Sequence, residues 1–385
     1  MWPAVLLLGL CVSATTPPTT YVVTPTEFAM VPNGTMIEKF VPIMERTYEL
    51  VNDPDKYNMY IPPKPAEGPI LVRVGVNIQS IDEIDERNRE LRLNLFLRIA
   101  WIDERLKFDA EEDTMYVAMS HYYADKIWKP DIYFPNGRSG RIHDLTIDNT
   151  NLRLYASGQI MVVYRYSLAF SCDMDFRQFP FDTQVCSVIL ESIKYPVNFV
   201  KLSWMFSERD MEPELIKLSK YHMVNFHMTE KCHTDYPIGT FSCLRLQYTF
   251  KREIFYHLVE TFLPSVIIVM ASWVSPWLDP SQTPARTVLG VTAMLTIFSQ
   301  ANHVKSSLPP FSYLKAIDVW MLICQFTVFL ALIEFMTANY MSRTSKGNAQ
   351  RLDQCARVAF PACFFLFCIL YILFYVVSEP DSQPS

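Results

Sequence analysis

Apolar and polar residues alternate through Leu91–Trp101, Leu152–Tyr155 and Cys243–Phe250. Successive side chains of a strand point to opposite faces, so this period of two predicts strands with one face buried and one wet. Turn-forming residues separate such runs at Pro135–Gly140, Ser157–Gly158 and Pro237–Gly239. Short alternating runs with frequent turns predict an all-β sandwich, immunoglobulin-like, of about ten strands. Ahead of it, an amphipathic stretch over Thr35–Leu50 predicts a leading helix.

After residue 253 the pattern changes. Long apolar runs cover 254–277, 287–304, 316–341 and 356–377, the first interrupted by Pro264. Each is near the roughly 20 residues that a helix needs to cross hydrocarbon, so they predict a four-helix transmembrane bundle. The second run is unlike the others. Helical steps from Val288 reach Thr292, Leu295, Ser299 and Asn302, a semi-polar stripe with one large apolar residue. Polar groups in a membrane need protein or water to face. One chain cannot bury such a stripe and also enclose a water path, whereas several copies around an axis can. The stripe therefore predicts a pore-lining helix, with packing between helices as the alternative. Phe298 falls off the stripe and is expected between helices, and His303 is expected near the outer mouth.

Composition and charge narrow the classes. The chain has 385 residues, a formal charge of −6 and a mean hydropathy of +0.10. No basic stripe is available to neutralise phosphates, which excludes nucleic acid as a partner. The seven histidines are scattered, and no nucleophile, metal-ligand or phosphate-loop arrangement stands out. No enzyme activity, cofactor or metal is expected. Met1–Ala14 reads as a signal peptide, with a short apolar core and small residues at Ser13 and Ala14. The organisation is then a signal over 1–14, an extracellular domain over 15–253, a transmembrane domain over 254–377 and an extracellular tail over 378–385. The short link 342–355 carries Arg343, Lys346 and Arg351, with only Asp353 opposing, and Arg357 follows just beyond. This basic excess places the link on the cytoplasmic side, with both termini outside the plasma membrane.

Export makes cysteines disulfide-competent. Of nine cysteines, Cys172, Cys186, Cys232 and Cys243 lie in the exported part and allow three pairings; Cys172 with Cys186 and Cys232 with Cys243 is the simplest. Cys324, Cys355, Cys363 and Cys368 sit in or beside apolar spans and read as free. Asn33-Gly34-Thr35 is a glycosylation sequon.

Thirteen residues separate Cys172 from Cys186, with Phe179-Pro180-Phe181-Asp182 near the middle. The loop resembles the signature of the Cys-loop receptors, the pentameric ligand-gated ion channels. Pro284-Ala-Arg-Thr-Val-Leu-Gly-Val-Thr-Ala-Met-Leu-Thr296 is similar to the pore helix of the glycine, GABA and glutamate-gated chloride channels. Ser307–Trp320 is similar to their link into the third helix. The resemblance implies a homopentamer, or five related subunits, opened by a small-molecule agonist and embedded in lipid. Cation-selective relatives carry an acidic residue where Ala285 stands here, so Arg286 is unopposed in the immediate sequence. A basic ring beside helix N-termini then implies chloride as the permeant ion. Leu295 matches the central apolar gate.

The resemblance also places a ligand site between adjacent sandwiches. Trp128–Phe134 supplies Tyr133, and the capping loop Cys232–Cys243 supplies Tyr236 and Phe241. Glu191-Ser192-Ile193 supplies a third element, with Ile193 where relatives carry an aromatic residue; Tyr195 lies two residues on. The facing subunit supplies Phe96 and Arg98, the arginine being matched to a carboxylate ligand. Val163 stands where amino-acid receptors carry a Ser or Thr. Coupling to the pore falls to Phe179, Pro180 and Asp182 lying near Pro309–Tyr313, with Arg252 as the ionic partner of Asp182. Two other readings remain: a non-conducting accessory subunit, or a cation-permeable member.

Overall fold

The computed structural model describes residues 35–377, apart from 66, 110–115, 146, 209–217, 280–281, 307 and 345. The expected signal peptide over 1–14, the sequon at Asn33 and the expected tail over 378–385 lie outside the described residues.

Helix α1 (Thr35–Asn52) leads into strands β1 (Ile70–Asp85), β2 (Glu90–Ile102), β3 (Tyr116–Met119), β4 (Ile132–Tyr133), β5 (Gly137–Ile142), β6 (Thr150–Tyr155), β7 (Gln159–Ser171), β8 (Thr183–Ser192), β9 (Val200–Trp204), β10 (Tyr221–Tyr236) and β11 (Gly239–Arg252). One sheet has the order β3-β6-β7-β2-β1-β9, with β5 also on β7; the other has the order β10-β11-β8-β4. Only the β1–β9 pair is parallel among the described pairings. The two sheets bury their inner faces on each other. Val72, Val74, Leu93 and Leu95 of the first meet Val188, Leu190, Leu244 and Leu246 of the second, each at most 1% exposed. The alternation in β2 thus appears as Leu91, Leu93, Leu95 and Leu97 inside and Phe96 and Arg98 half-buried on the reverse. Gly158, at φ +79°, closes the β6–β7 turn, where a side chain would press on the Asp103 carbonyl.

Four helical spans follow. The first, α2 (Phe255–Trp277), is irregular. Leu258–Phe262 is wound as a π-helix directly ahead of Pro264. Pro264 offers no N–H to the Glu260 carbonyl and its ring crowds that turn, so a wider preceding turn accommodates it. The others are α3 (Thr283–Ser306), α4 (Ala316–Thr344) and α5 (Lys346–Ile372), the last continued by wider turns over Leu373–Val377. Three spans, Phe255–Trp277, Ala316–Arg343 and Gly347–Val376, have mean hydropathies of 1.7, 2.1 and 2.4 and the length to cross a bilayer. Helix α3 is not among them, because the side chains of its semi-polar stripe dilute its apolar content.

The stretch 342–355, expected as a loop, is helical on both sides of residue 345. Its helical spacing buries Ala349, Asp353 and Ala356 on one face. Asp353 is there to meet Arg286 of α3, Nη2 to Oδ2 at 2.9 Å, with both side chains at most 3% exposed. The Trp320 indole donates to Ser265 Oγ at 2.8 Å and ties α4 to α2. The Tyr371 hydroxyl donates to the Ala316 carbonyl at 3.0 Å and ties α5 to α4.

Removing one partner of a buried ion pair leaves an uncompensated charge. Asp353→Leu is expected to cost about 3–5 kcal/mol, read as a lower thermal midpoint of the detergent-solubilised protein. The double variant Arg286→Leu with Asp353→Leu is expected to recover most of that loss. A single variant as stable as the parent would show that the pair holds nothing together.

Candidate functional site

Strands β7 and β8 belong to different sheets, and the segment between them, Cys172–Asp182, turns the corner against the helices. Cys172 is bonded to Cys186. Gln184 pins the loop from inside: its side chain accepts from the Asp175 backbone N–H at 3.0 Å and donates to the Asp175 carbonyl at 2.7 Å. The Arg177 and Phe179 carbonyls accept from the backbone N–H groups of Ala316 and Ile317 at 2.9 and 3.1 Å. These are the first amides of α4, which have no partner inside their own helix. The Tyr313 hydroxyl accepts from the Phe176 N–H at 3.1 Å, and the Phe176 and Phe311 rings lie 5.1 Å apart.

The same loop holds a buried charge. Arg252, the last residue of β11, donates from Nε to Asp182 Oδ1 at 2.6 Å and from Nη2 to Asp182 Oδ2 at 2.9 Å. Glu86, from the β1–β2 turn, and the Tyr221 hydroxyl also accept from this guanidinium. The rings of Phe179 and Tyr221 each lie 4.5 Å from it. The Phe179 ring packs in turn on His257 at the head of α2, 4.9 Å away. In the β1–β2 turn, Arg87 donates to the Ser306 carbonyl at the end of α3, at 3.2 Å.

On the four-stranded sheet, register brings a second cluster together. Tyr133 of β4 lies opposite Glu191 of β8, which lies opposite Cys243 of β11. Cys243 is directly across from Cys232 and bonded to it. Gly239, at φ +144°, lets the β10–β11 hairpin turn sharply and brings Tyr236 within 5.7 Å of the Phe241 ring. Glu191 is buried. Burial raises its pKa, which hydrogen bonds from Thr234 and Tyr236 only partly offset, and its Oε1 has no partner among the described residues. The Tyr133 hydroxyl is pushed up to about 12 by burial, the Tyr236 hydrogen bond and the Glu191 charge. On the other sheet, Phe96 and Arg98 of β2 pair with Arg165 and Val163 of β7. The Arg165 guanidinium lies 6.0 Å from the Phe96 ring, and that of Arg98 lies 6.0 Å from Phe206. The two clusters sit on different sheets.

Helix α3 presents Val288, Thr292, Leu295, Ser299 and Asn302 on an exposed face, while Ala293, Ile297, Ala301 and Val304 are buried on the other. Thr292 and Thr296 donate to the Val288 and Thr292 carbonyls at 2.7 Å, which satisfies their hydroxyls within the helix. Gln300 turns away from the stripe and donates to the Thr261 carbonyl of α2 at 3.0 Å.

Residues 45–254 match the neurotransmitter-gated ion-channel ligand binding domain, and residues 261–349 match the neurotransmitter-gated ion-channel transmembrane region. The chain belongs to the neurotransmitter-gated ion-channel family. It is 35% identical over 285 residues to a glutamate-gated chloride channel of Drosophila melanogaster, an alignment that covers 74% of this chain and 62% of that protein. The chain thus spans less than two thirds of this relative's length. The family is one of ligand-gated ion channels, which are not enzymes, and the chain is a membrane protein.

Against this family pattern, two expectations change. Arg286 does not join the exposed stripe. It is 1% exposed, paired with Asp353 and donating to the Leu278 carbonyl, because it shares the helix face of Ala293 and Ile297. Its charge is therefore opposed, by a residue 67 positions away. Within the stretch Pro309–Tyr313, Phe311 and Tyr313 supply the aromatic contacts to the disulfide loop, and Pro309 is half-buried. Ile193 is 60% exposed, while Tyr195 packs on Trp128, 6.1 Å away, and is turned into the sandwich. Glu86, Tyr221 and Arg165 did not stand out in the sequence. Arg165 alone carried a signal, since it follows Val163 at the spacing of two that shares a strand face.

Arg252 loses its bidentate partner in Asp182→Ala. That variant is expected to lose about 3–5 kcal/mol, measured as thermal midpoint, and to gate poorly at whatever surface density it reaches. Asp182→Glu is expected to fall between it and the parent. Normal midpoint and normal gating in Asp182→Ala would remove the junction role of the pair.

Proposed function

We propose that the chain is a subunit of a pentameric, ligand-gated chloride channel of the plasma membrane, with its β-sandwich outside. The observation that carries this reading is the two-faced helix α3. One face is packed into the bundle, and the other exposes a semi-polar stripe too polar for lipid and too narrow for one chain to use. Five copies around an axis give that stripe water to face. A ring of Leu295 narrows the path at its middle, where dewetting closes it. At the cytoplasmic end the exposed residues are Pro284 and Ala285, with no acidic side chain in the first turn. With Arg286 turned inward, the helix N-termini and the missing acidic ring are what favour an anion.

The agonist site forms between neighbours, where Tyr133, Glu191, Tyr236 and Phe241 of one subunit face Phe96 and Arg98 of the next. A buried carboxylate with an open oxygen on one side and the arginines Arg98 and Arg165 on the other suit a small molecule carrying both an amino group and a carboxylate. The exposed Ile193 and the missing hydroxyl at Val163 set its detailed shape apart from that of glycine, GABA or glutamate.

Expression in oocytes tests the channel. Agonist-evoked currents are expected to reverse at the chloride potential and to shift with it when external chloride is replaced. Leu295→Ser is expected to open without agonist, because a polar ring stays wet. Currents that follow sodium instead would overturn the anion reading.

The raised pKa of Glu191 sets a pH dependence. Glu191 takes up a proton at a higher pH than an ordinary glutamate. Acidification through that range neutralises the partner of the ligand amine, so potency is expected to fall. Glu191→Gln is expected to start weak and to show no such pH dependence. A dose–response series across pH in both channels decides it, and equal pH dependence in the two would reassign the effect.

A further inference from the structure

Strand β9 lies at the edge of one sheet and β10 at the edge of the other. An edge strand leaves alternate N–H groups without a ladder partner. On its inner side β9 pairs in parallel with β1, and the Met205 N–H, just past its end, donates to the Val74 carbonyl at 2.8 Å. The N–H groups of Leu202 and Trp204 point the other way, off the edge. Side chains of the second sheet meet them. Ser242 Oγ of β11 accepts from Leu202 at 3.0 Å, and Glu230 Oε1 of β10 accepts from Trp204 at 2.9 Å. The tie also runs in reverse. Glu208 Oε1, beyond β9, accepts from the Met228 N–H of β10 at 2.9 Å, and His227 Nδ1 lies 3.2 Å from the same oxygen. Glu230 stands at the bulge of β10, two residues before Cys232, and Ser242 is next to Cys243. The base of the capping hairpin thus grips β9 from both of its arms.

The segment between the two glutamate ties carries Phe206, two residues from Trp204 and two from Glu208. Its ring lies on β1 at Gly75, the residue paired with Arg98 of β2. A Cβ at Gly75 would come within 2.8 Å of the ring, so glycine leaves the room it occupies. The Arg98 guanidinium lies 6.0 Å from the ring centre, within reach of cation–π attraction. A continuous path of contacts therefore runs from the capping hairpin through β9 and Phe206 to Arg98.

We propose that Phe206 is a positioning residue for Arg98, and that β9 links the order of the capping hairpin to the order of this arginine. On the channel reading above, a subunit gives its hairpin to one agonist site and its Arg98 to the next. An agonist that orders the hairpin then lowers the ordering cost at the neighbouring site, which makes successive sites cooperate. The cooperation rests on the channel reading; the link does not.

Arginine labelling in the purified full-length protein tests the link without an agonist. Phenylglyoxal modification is followed by peptide mass mapping at Arg98 and at Arg46, an exposed arginine of α1. The hairpin is loosened in two independent ways, by Cys232→Ser with Cys243→Ser and by Gly239→Val. Each is expected to speed labelling of Arg98 about fivefold, the lower end of coupling between distinct sites. Phe206→Ala is expected to speed it by a similar factor, and Phe206→Tyr to keep the parent rate. Once Glu208→Ala and Glu230→Ala have cut both ties, loosening the hairpin is expected to add nothing further. Glu208→Gln with Glu230→Gln keeps the acceptor oxygens and is expected to preserve the parent's response. Arg46 is expected to be unchanged throughout. An unchanged Arg98 rate in Phe206→Ala overturns the positioning role. An Arg98 rate indifferent to the hairpin, a response that survives the cut ties, or an equal rise at Arg46 overturns the link. If native mass measurement shows a single chain while Arg98 still follows the hairpin, the link stands and the pentamer reading fails.

Discussion

A full positive charge sits almost out of water at the place where the sheets end and the helices begin. Arg252 is 3% exposed, and the membrane segments start three residues later. An isolated buried guanidinium is too costly to tolerate, so every group around it is arranged to satisfy it. Asp182 comes from the disulfide loop, Glu86 from the β1–β2 turn and Tyr221 from the start of β10. Three otherwise separate segments therefore meet at one charge. Phe179, stacked beneath it, reaches His257 of α2. The same loop closes the open amides at the head of α4, and Arg87 reaches the end of α3. The sandwich and three helices meet at this point, and displacing any one segment would expose an unpaired charge or an open amide.

A second buried charge organises the far end of the bundle. Arg286 and Asp353 hold α3 against α5, and the helical extension of α5 past the expected loop exists to carry Asp353 to that contact. Turning Arg286 inward leaves small, uncharged residues on the exposed face at that end of α3. The proposed anion preference would then rest on backbone dipoles and on the lack of acidic side chains in the first turn of α3 among the described residues, a diffuse source of positive potential that does not require a basic residue in the water path.

Much of this was legible in the sequence because it repeats. A period of two marked β2, β6 and β11, long apolar runs marked the membrane helices, and steps of three and four marked the stripe from Val288 to Asn302. The disulfide loop and the pairing of Asp182 with Arg252 came from motif resemblance, and the geometry shows that pair. The remainder lay in contacts with no local signature. Glu86 and Tyr221 are ordinary residues in a turn and a strand, made special by an arginine 166 and 31 positions away. Pro309 marked the right linker, but the neighbouring aromatic residues make the contacts.

The sequence by itself determined the order of the domains, the strands β2, β6 and β11, the four helices and the polar stripe, because periodicity and apolar length are local properties of a chain. Only the tertiary structure decided which way Arg286 points, which residues surround Arg252, and that the Tyr133–Glu191–Tyr236–Phe241 cluster and the Phe96–Arg98 pair lie on different sheets of one subunit. Those outcomes depend on which side chains compensate one another across long separations, and a buried charge selects its partners by proximity in space rather than along the chain.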